Sequence, residues 1–208
     1  MKADLYLIKL TMNEKIQKRI QASIDVKTRL LDDSALLEKV AAVAAVMTQA
    51  FRVGNRAFFC GNGGSAADAQ HLAAELSGRF YLDRHALPAE ALHCNTSYLT
   101  AIANDYSYDV VYERLVQGTM QKGDVLLGFS TSGNSINIVR AFEAAKEKGV
   151  VTVGFTGQTG GTLKTASDYL FNIPSADTPR IQESHILLGH IICEIVEEQY
   201  FGKEANSD

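Results

Sequence analysis

Five short apolar runs, Ala57 to Cys60, Ala91 to His93, Val125 to Phe129, Val150 to Phe155 and Tyr169 to Ile173, alternate with segments of helical periodicity. A short continuous apolar run is the pattern of a strand covered on both faces, whereas a half-buried strand would alternate. The intervening helices are expected at Ala66 to Ser77, Ser97 to Ala103, Tyr108 to Gln117, Ser135 to Lys148, Thr162 to Ala166 and Arg180 to Phe201. Strands alternating with helices imply right-handed βαβ crossovers, hence an α/β three-layer sandwich with helices on both faces of a five-stranded parallel sheet. Five strands suit a flavodoxin-like order, in which ligands sit beyond the carboxyl ends of the strands near a switch point.

Before the first strand, Ile16, Ile20, Ile24, Val26 and Leu30 recur at roughly helical spacing within a helix from Glu14 to Leu31, and a second helix reads from Ser34 to Phe51. Residues 1–53 thus form an N-terminal helical layer. Ser34, followed by Glu38, approaches a capping box. The second helix is apolar around much of its circumference, which suggests burial against the core or another subunit. A chain of 208 residues has room for a single domain of this kind. Its composition, 46% hydrophobic and 21% charged, is that of a folded globule, compact throughout apart from Lys203 to Asp208.

A formal net charge of −4 leaves no basic footprint, so nucleic acid is not an expected partner. Cys60, Cys94 and Cys193 are odd in number and lack CxxC spacing, as expected of reduced thiols in a cytoplasmic protein. No run reaches the ~18 apolar residues of a membrane span. The Leu5 to Leu10 run, interrupted by Lys9, lacks the organisation of a signal peptide.

Two small-residue loops fall between an expected strand and an expected helix. In Gly61-Asn62-Gly63-Gly64-Ser65 the glycines let backbone N–H groups converge without Cβ obstruction, and Ser65 is placed to cap the following helix while its hydroxyl faces a ligand. There is no P-loop lysine and no GxGxxG, so neither nucleotide fingerprint applies. In Ser130-Thr131-Ser132-Gly133-Asn134-Ser135, four hydroxyls surround the start of the next helix. Hydroxyl donors, exposed N–H groups and the helix dipole together suit a phosphate dianion. An ordinary turn with an N-cap explains one or two of those hydroxyls, not four.

Chemistry needs further groups. His71 and Glu75, four apart on the helix after the first loop, share a face. Gln182 and His190 lie eight apart on the last helix, about 80° apart around it, so they can reach one cleft. His190 sits in the apolar stretch Ile186 to Ile192, where a core histidine is the commoner outcome, and His185 competes for the same role. Two histidines, a carboxylate and an amide oxygen also make a set able to bind a divalent metal, though HxxxE is far less specific than HExxH.

The segments GNGGSAADAQHLAAELSGR (61–79), AIANDYSYD (101–109), GDVLLGFSTSGNS (123–135), VGFTGQTGG (153–161) and RIQESHILLGHIICEIVE (180–197) resemble the bacterial phosphoheptose isomerases of the sugar isomerase (SIS) superfamily. The resemblance runs along nearly the whole chain. It implies conversion of sedoheptulose 7-phosphate to D-glycero-D-manno-heptose 7-phosphate, toward the heptose of lipopolysaccharide core, by a homotetramer with sites at subunit boundaries. Substrate-binding positions of the family map to Asn62, Gly63, Gly64, Ser65, Glu75, Asn104, Asp105, Ser130, Thr131, Ser132, Ser135 and Gln182, and its catalytic pair to Glu75 and His190. Members with zinc hold it on the positions matching His71, Glu75, Gln182 and His190.

The chain is also similar, notably over LTAIANDYSYDVVYERLV (99–116), to the replication initiation regulator of the same superfamily, a non-catalytic partner of the initiator DnaA. That protein carries Thr at the position of Gly64 and Asn at that of His190, so retention of both residues favours the enzyme. A sugar-phosphate-sensing transcription factor would need a helix-turn-helix domain, and residues 1–56 are too short and too apolar to supply one beside the helical layer.

Overall fold

The structure, a computed structural model, describes residues 12–202. The Leu5 to Leu10 run and the Lys203 to Asp208 tail lie outside the described residues. Two helices, α1 (Met12–Leu31) and α2 (Ser34–Arg52), precede β1 (Ala57–Gly61), α3 (Gly64–Ser77) and β2 (Ala89–Ala91). Next come α4 (Thr96–Asp105), a 3₁₀ turn (Tyr108–Val110), α5 (Val111–Thr119), β3 (Val125–Phe129) and α6 (Ile136–Glu147). The chain continues through β4 (Val151–Thr156), α7 (Leu163–Ala166), β5 (Tyr169–Asn172) and α8 (Thr178–Phe201).

The five strands pair in the order β2-β1-β3-β4-β5, every pair parallel. This is the flavodoxin-like order, with its switch point between β1 and β3. Because side chains alternate across a strand, each continuous apolar run supplies two cores. Phe59, Leu127, Phe129, Val153 and Phe155 point into one core with α2, α3 and α8, while Phe58, Cys60 and Leu126 point into the other with α5 and α6.

Several boundaries differ from the sequence expectation. β2 pairs through Ala89–Ala91 rather than 91–93, in register with Ala57–Phe59. As an edge strand it tolerates the exposed Glu90, so a continuous apolar run was the wrong signature there. Asp33, not Ser34, caps α2, its carboxylate accepting from Leu36 N–H at 3.0 Å. The helix expected from Tyr108 splits into the 3₁₀ turn and α5, because the Ser107 hydroxyl accepts from Asp109 N–H and starts the turn.

The expectation that no segment has the makings of a membrane span needs correcting for α2, which by length and hydropathy alone would pass as one. Its apolarity is accounted for by packing: Leu36, Val40, Val43, Ala44, Met47 and Phe51 are buried, largely against α8. On α1 only Val26 and Leu30 are buried, whereas Ile16, Ile20 and Ile24 form an exposed stripe in the single chain. Cys60 and Cys193 are buried and Cys94 is exposed, all as free thiols.

Candidate active site

β1 and β3 are neighbours and end level, Gly61 opposite Phe129, so the two small-residue loops leave the sheet side by side at the switch point. After β1 the Asn62 carbonyl accepts from Ser65 N–H at 3.1 Å, and the Gly63 carbonyl from Ala66 N–H and Ala67 N–H, each at 3.1 Å. Gly63 takes φ +57°, a left-handed conformation that glycine adopts at little cost, and it is the N-cap of α3. Ser65 is therefore not the cap expected from sequence. It lies buried in the first turn, where its hydroxyl accepts from Gln182 Nε2 at 3.5 Å.

The loop is tied to the next one by a pair of amides. Asn62 Nδ2 donates to Asn137 Oδ1 and Asn137 Nδ2 donates to Asn62 Oδ1, both at 2.9 Å. Tyr108 Oη donates to the same Asn62 oxygen at 3.1 Å, and Ile138 N–H donates to Asn137 Oδ1 at 3.0 Å, which fixes the orientation of the pair. Both acceptor positions of Asn62 are thus occupied by protein. Asn137 and Tyr108 were not singled out in the sequence. The only signal for Asn137 was an amide between two isoleucines in the first turn of α6.

In the second loop the Ser130 and Ser135 hydroxyls hydrogen-bond each other at 2.9 Å, Ser130 being buried. The Ser132 hydroxyl accepts from Asn134 N–H at 3.1 Å. Thr131 and Ser132 open onto a cavity of about 230 Å³ shared with Gly157, Gln158, Ser175 and Ile181. The same loop leads into the N-terminus of α6, whose N-cap Ser135 makes no side-chain capping bond. An anion seated there meets hydroxyls and the positive end of a twelve-residue helix.

Further along α3, His71 Nε2 lies 2.8 Å from Glu75 Oε1 across one turn. Gly189 lets α8 approach: a Cβ there would stand 2.4 Å from Leu72 Cδ1. The next residue, His190, consequently brings its Nε2 to 3.3 Å from His71 Nε2. Phe80 stacks on the His190 ring with centroids 5.7 Å apart and planes 26° apart. Burial and the neighbouring His71 lower the His190 pKa, with Glu75 opposing, which favours the neutral imidazole. One turn before His71, burial raises the Asp68 carboxyl above the usual range, and its Oδ2 is buried without a protein partner.

Donor atoms of His71, Glu75 and His190 all lie within 4.8 Å of one another. Two imidazole nitrogens and a carboxylate are a catalytic zinc donor set, and Zn–N bonds of ~2.0–2.1 Å at tetrahedral angles require nitrogens ~3.3–3.4 Å apart. The His71–His190 separation of 3.3 Å meets that requirement, so the residues fit a metal ion. Gln182, the fourth expected ligand, lies at the other end of the cleft wall against Gly64 and Ser65.

Not every expected residue joins this cleft. Asn104 and Asp105 end α4, exposed, and hydrogen-bond each other at 3.0 Å rather than any cleft residue of their own chain. His185 does not compete with His190. It is fully buried against the stacked rings of Phe129 and Phe155, donates from Nε2 to the Thr156 carbonyl at 3.2 Å, and is held neutral by burial, its pKa pushed down to about 4.

The chain is a doubly wound sheet with two small-residue loops at its switch point, and the profile of the SIS domain family matches residues 21–157. The phosphoheptose isomerase of Clostridium acetobutylicum is 49% identical over 195 residues, 94% of this chain and 100% of that protein. The solved phosphoheptose isomerase of Neisseria gonorrhoeae superposes with a TM-score of 0.85 at 40% identity, over 90% of this chain and all of that one. That of Francisella tularensis gives a TM-score of 0.87 at 32% identity, over 91% and 100%. The chain belongs to the phosphoheptose isomerases, which are aldose–ketose isomerases.

Proposed function

We propose that the chain interconverts sedoheptulose 7-phosphate and D-glycero-D-manno-heptose 7-phosphate by proton transfer through an enediol. The observation that carries this reading is the convergence of His71, Glu75 and His190 where α3, launched from the first small-residue loop, meets α8. Moving a carbonyl from C2 to C1 needs a base for the carbon-bound proton and a carrier for the hydroxyl protons. Glu75 removes the proton from C1 and returns it to C2. His190 carries the proton lost by O1 to O2 and ends each turnover in the state in which it began, so the net change is a single shifted carbonyl.

The loop Ser130, Thr131, Ser132 and Ser135 grips the phosphate, and Asn62, Gly63, Gly64, Ser65 and Gln182 line the sugar. Binding energy from the remote phosphate orients the reacting carbons. Asn104 and Asp105 are exposed and bond to each other, in keeping with a site completed across a subunit boundary. The exposed Ile16, Ile20 and Ile24 stripe supports burial of α1 in a homotetramer. The working unit is a single SIS domain over residues 1–208, with 1–53 as its N-terminal helical layer, in the cytoplasm, and its product feeds lipopolysaccharide core heptose.

We assign a zinc site to His71, Glu75 and His190, which Gln182 would complete as fourth ligand only by turning away from its place against Gly64 and Ser65. Bound there, the ion would supply Lewis-acid stabilisation of charge at the sugar oxygens. Ligation lowers the basicity of Glu75, so turnover measured before and after chelation, with elemental analysis, separates its two roles. The central test is NMR of sedoheptulose 7-phosphate incubated with the protein and with Glu75→Gln and His190→Asn. Aldose is expected with the first alone; no product from the wild type, or full turnover in both variants, overturns the assignment.

A further inference from the structure

Arg84 and Glu197 are buried side by side, their side chains 3% and 2% exposed, and the chemistry above uses neither. Glu197 Oε1 accepts from Arg84 Nε at 2.8 Å and from Phe80 N–H at 3.1 Å. Its Oε2 accepts from Tyr81 N–H at 2.7 Å and Leu82 N–H at 2.9 Å. Arg84 directs its other donors at the end of α3: Nη1 to the carbonyls of Leu76 and Gly78, at 2.8 and 2.9 Å, and Nη2 to that of Glu75, at 2.8 Å. Burial alone would raise the Glu197 carboxyl, but the three backbone N–H groups and Arg84 hold it below the usual range.

A desolvated ion pair is seldom a better source of stability than apolar packing, so its value lies in the arrangement it enforces. Here that arrangement includes both acid/base residues. Arg84 binds the carbonyl of Glu75 itself and closes the last turn of its helix. Glu197 lies seven residues beyond His190, two turns along the same face of α8. The backbone it grips carries Phe80, whose ring stacks on His190.

We infer that Arg84 and Glu197 form a positioning clasp, with Phe80 as its reaching member, that holds Glu75 on α3 and His190 on α8 at their working separation. The clasp touches no substrate and acts through those two residues. It rests on the acid/base reading of Glu75 and His190.

The test is steady-state kinetics of Glu197→Gln, Phe80→Leu and Phe80→Tyr beside the wild type, Glu75→Gln and His190→Asn, each checked for a cooperative melt. In Glu197→Gln an amide N–H₂ replaces an oxygen that faces backbone donors, and Phe80→Leu removes the stacked ring while leaving the ion pair intact. Both should lower kcat at least tenfold with KM for the ketose phosphate, and inhibition by inorganic phosphate, within twofold of wild type. Phe80→Tyr, which keeps the ring, should restore kcat to within twofold. Wild-type kcat in folded Phe80→Leu, a loss confined to KM, or equal damage in Phe80→Tyr overturns the clasp. Should Glu197→Gln fail to fold, the two Phe80 variants decide alone. Full turnover in Glu75→Gln and His190→Asn sinks the acid/base reading and the clasp with it, whereas inactivity of those two beside an unimpaired Phe80→Leu sinks only the clasp.

Discussion

Replacing Gly64 by alanine should separate activity from stability. Gly64 opens α3 with an ordinary negative φ, so alanine is conformationally acceptable there. Helix propensity even favours it, by up to ~1 kcal/mol and less in a first turn. The added Cβ, however, would stand 2.8 Å from Gln182 Nε2 and 3.2 Å from its Cδ and Oε1, where ordinary contact begins at 3.4 Å. The carboxamide is the free end of a flexible side chain, so it yields by roughly 0.6 Å or more while the backbone stays put. Displacements approaching 1 Å cost up to ~10²-fold in rate, so kcat/KM should fall about 10- to 100-fold, or ~1.4–2.7 kcal/mol of transition-state stabilisation. Gly64→Thr, with a branched side chain, should fall further. Gly61→Ala is the contrast: its Cβ would meet the Ser65 carbonyl oxygen at 2.3 Å, a backbone clash that should cost ~1–3 kcal/mol of stability. Calorimetric melting with NMR-monitored turnover reads both quantities. A folded Gly64→Ala enzyme with wild-type kcat/KM would refute the idea that Gln182 must occupy its present place.

Asn137→Ala would strip Asn62 of its reciprocal partner, costing ~1–3 kcal/mol in urea unfolding. It should also raise KM several-fold by loosening the Gly61–Ser65 loop from the start of α6, and unchanged KM and stability would show that the amide pair is incidental. For His185, burial lowers the folded pKa from 6.5 to about 4. Above pH 6.5 both folded and unfolded states hold it neutral; below, only the unfolded state gains the proton, so stability present at neutral pH is lost as pH falls toward 4, by about 3 kcal/mol. His185→Gln, which keeps a donor for the Thr156 carbonyl, should flatten denaturation midpoints over that window, and parallel pH profiles would contradict it.

Strand-length apolar runs and intervening helical periodicity determined the α/β class, because burial on both faces of a sheet demands continuous apolarity and helices do not. The same local logic found the two loops, since close turns need glycine and an anion needs hydroxyls beside a helix start. It failed where pairing rather than composition decides: at the edge strand β2, whose position is set by its register with β1, and at Ser65, which the φ of Gly63 moves from the cap into the helix. His185 and His190 look alike in the sequence, five residues apart in one apolar helix, and only tertiary packing gives one to the sheet core and the other to the cleft. Likewise, Asn137, Arg84 and Glu197 make contacts with residues dozens of positions away, which no local pattern encodes. The sequence by itself determined the elements and the chemistry available. The tertiary structure decided which atoms meet, because the meeting of α3 with α8 and of β1 with β3 depends on how helices and strands close on one another through space.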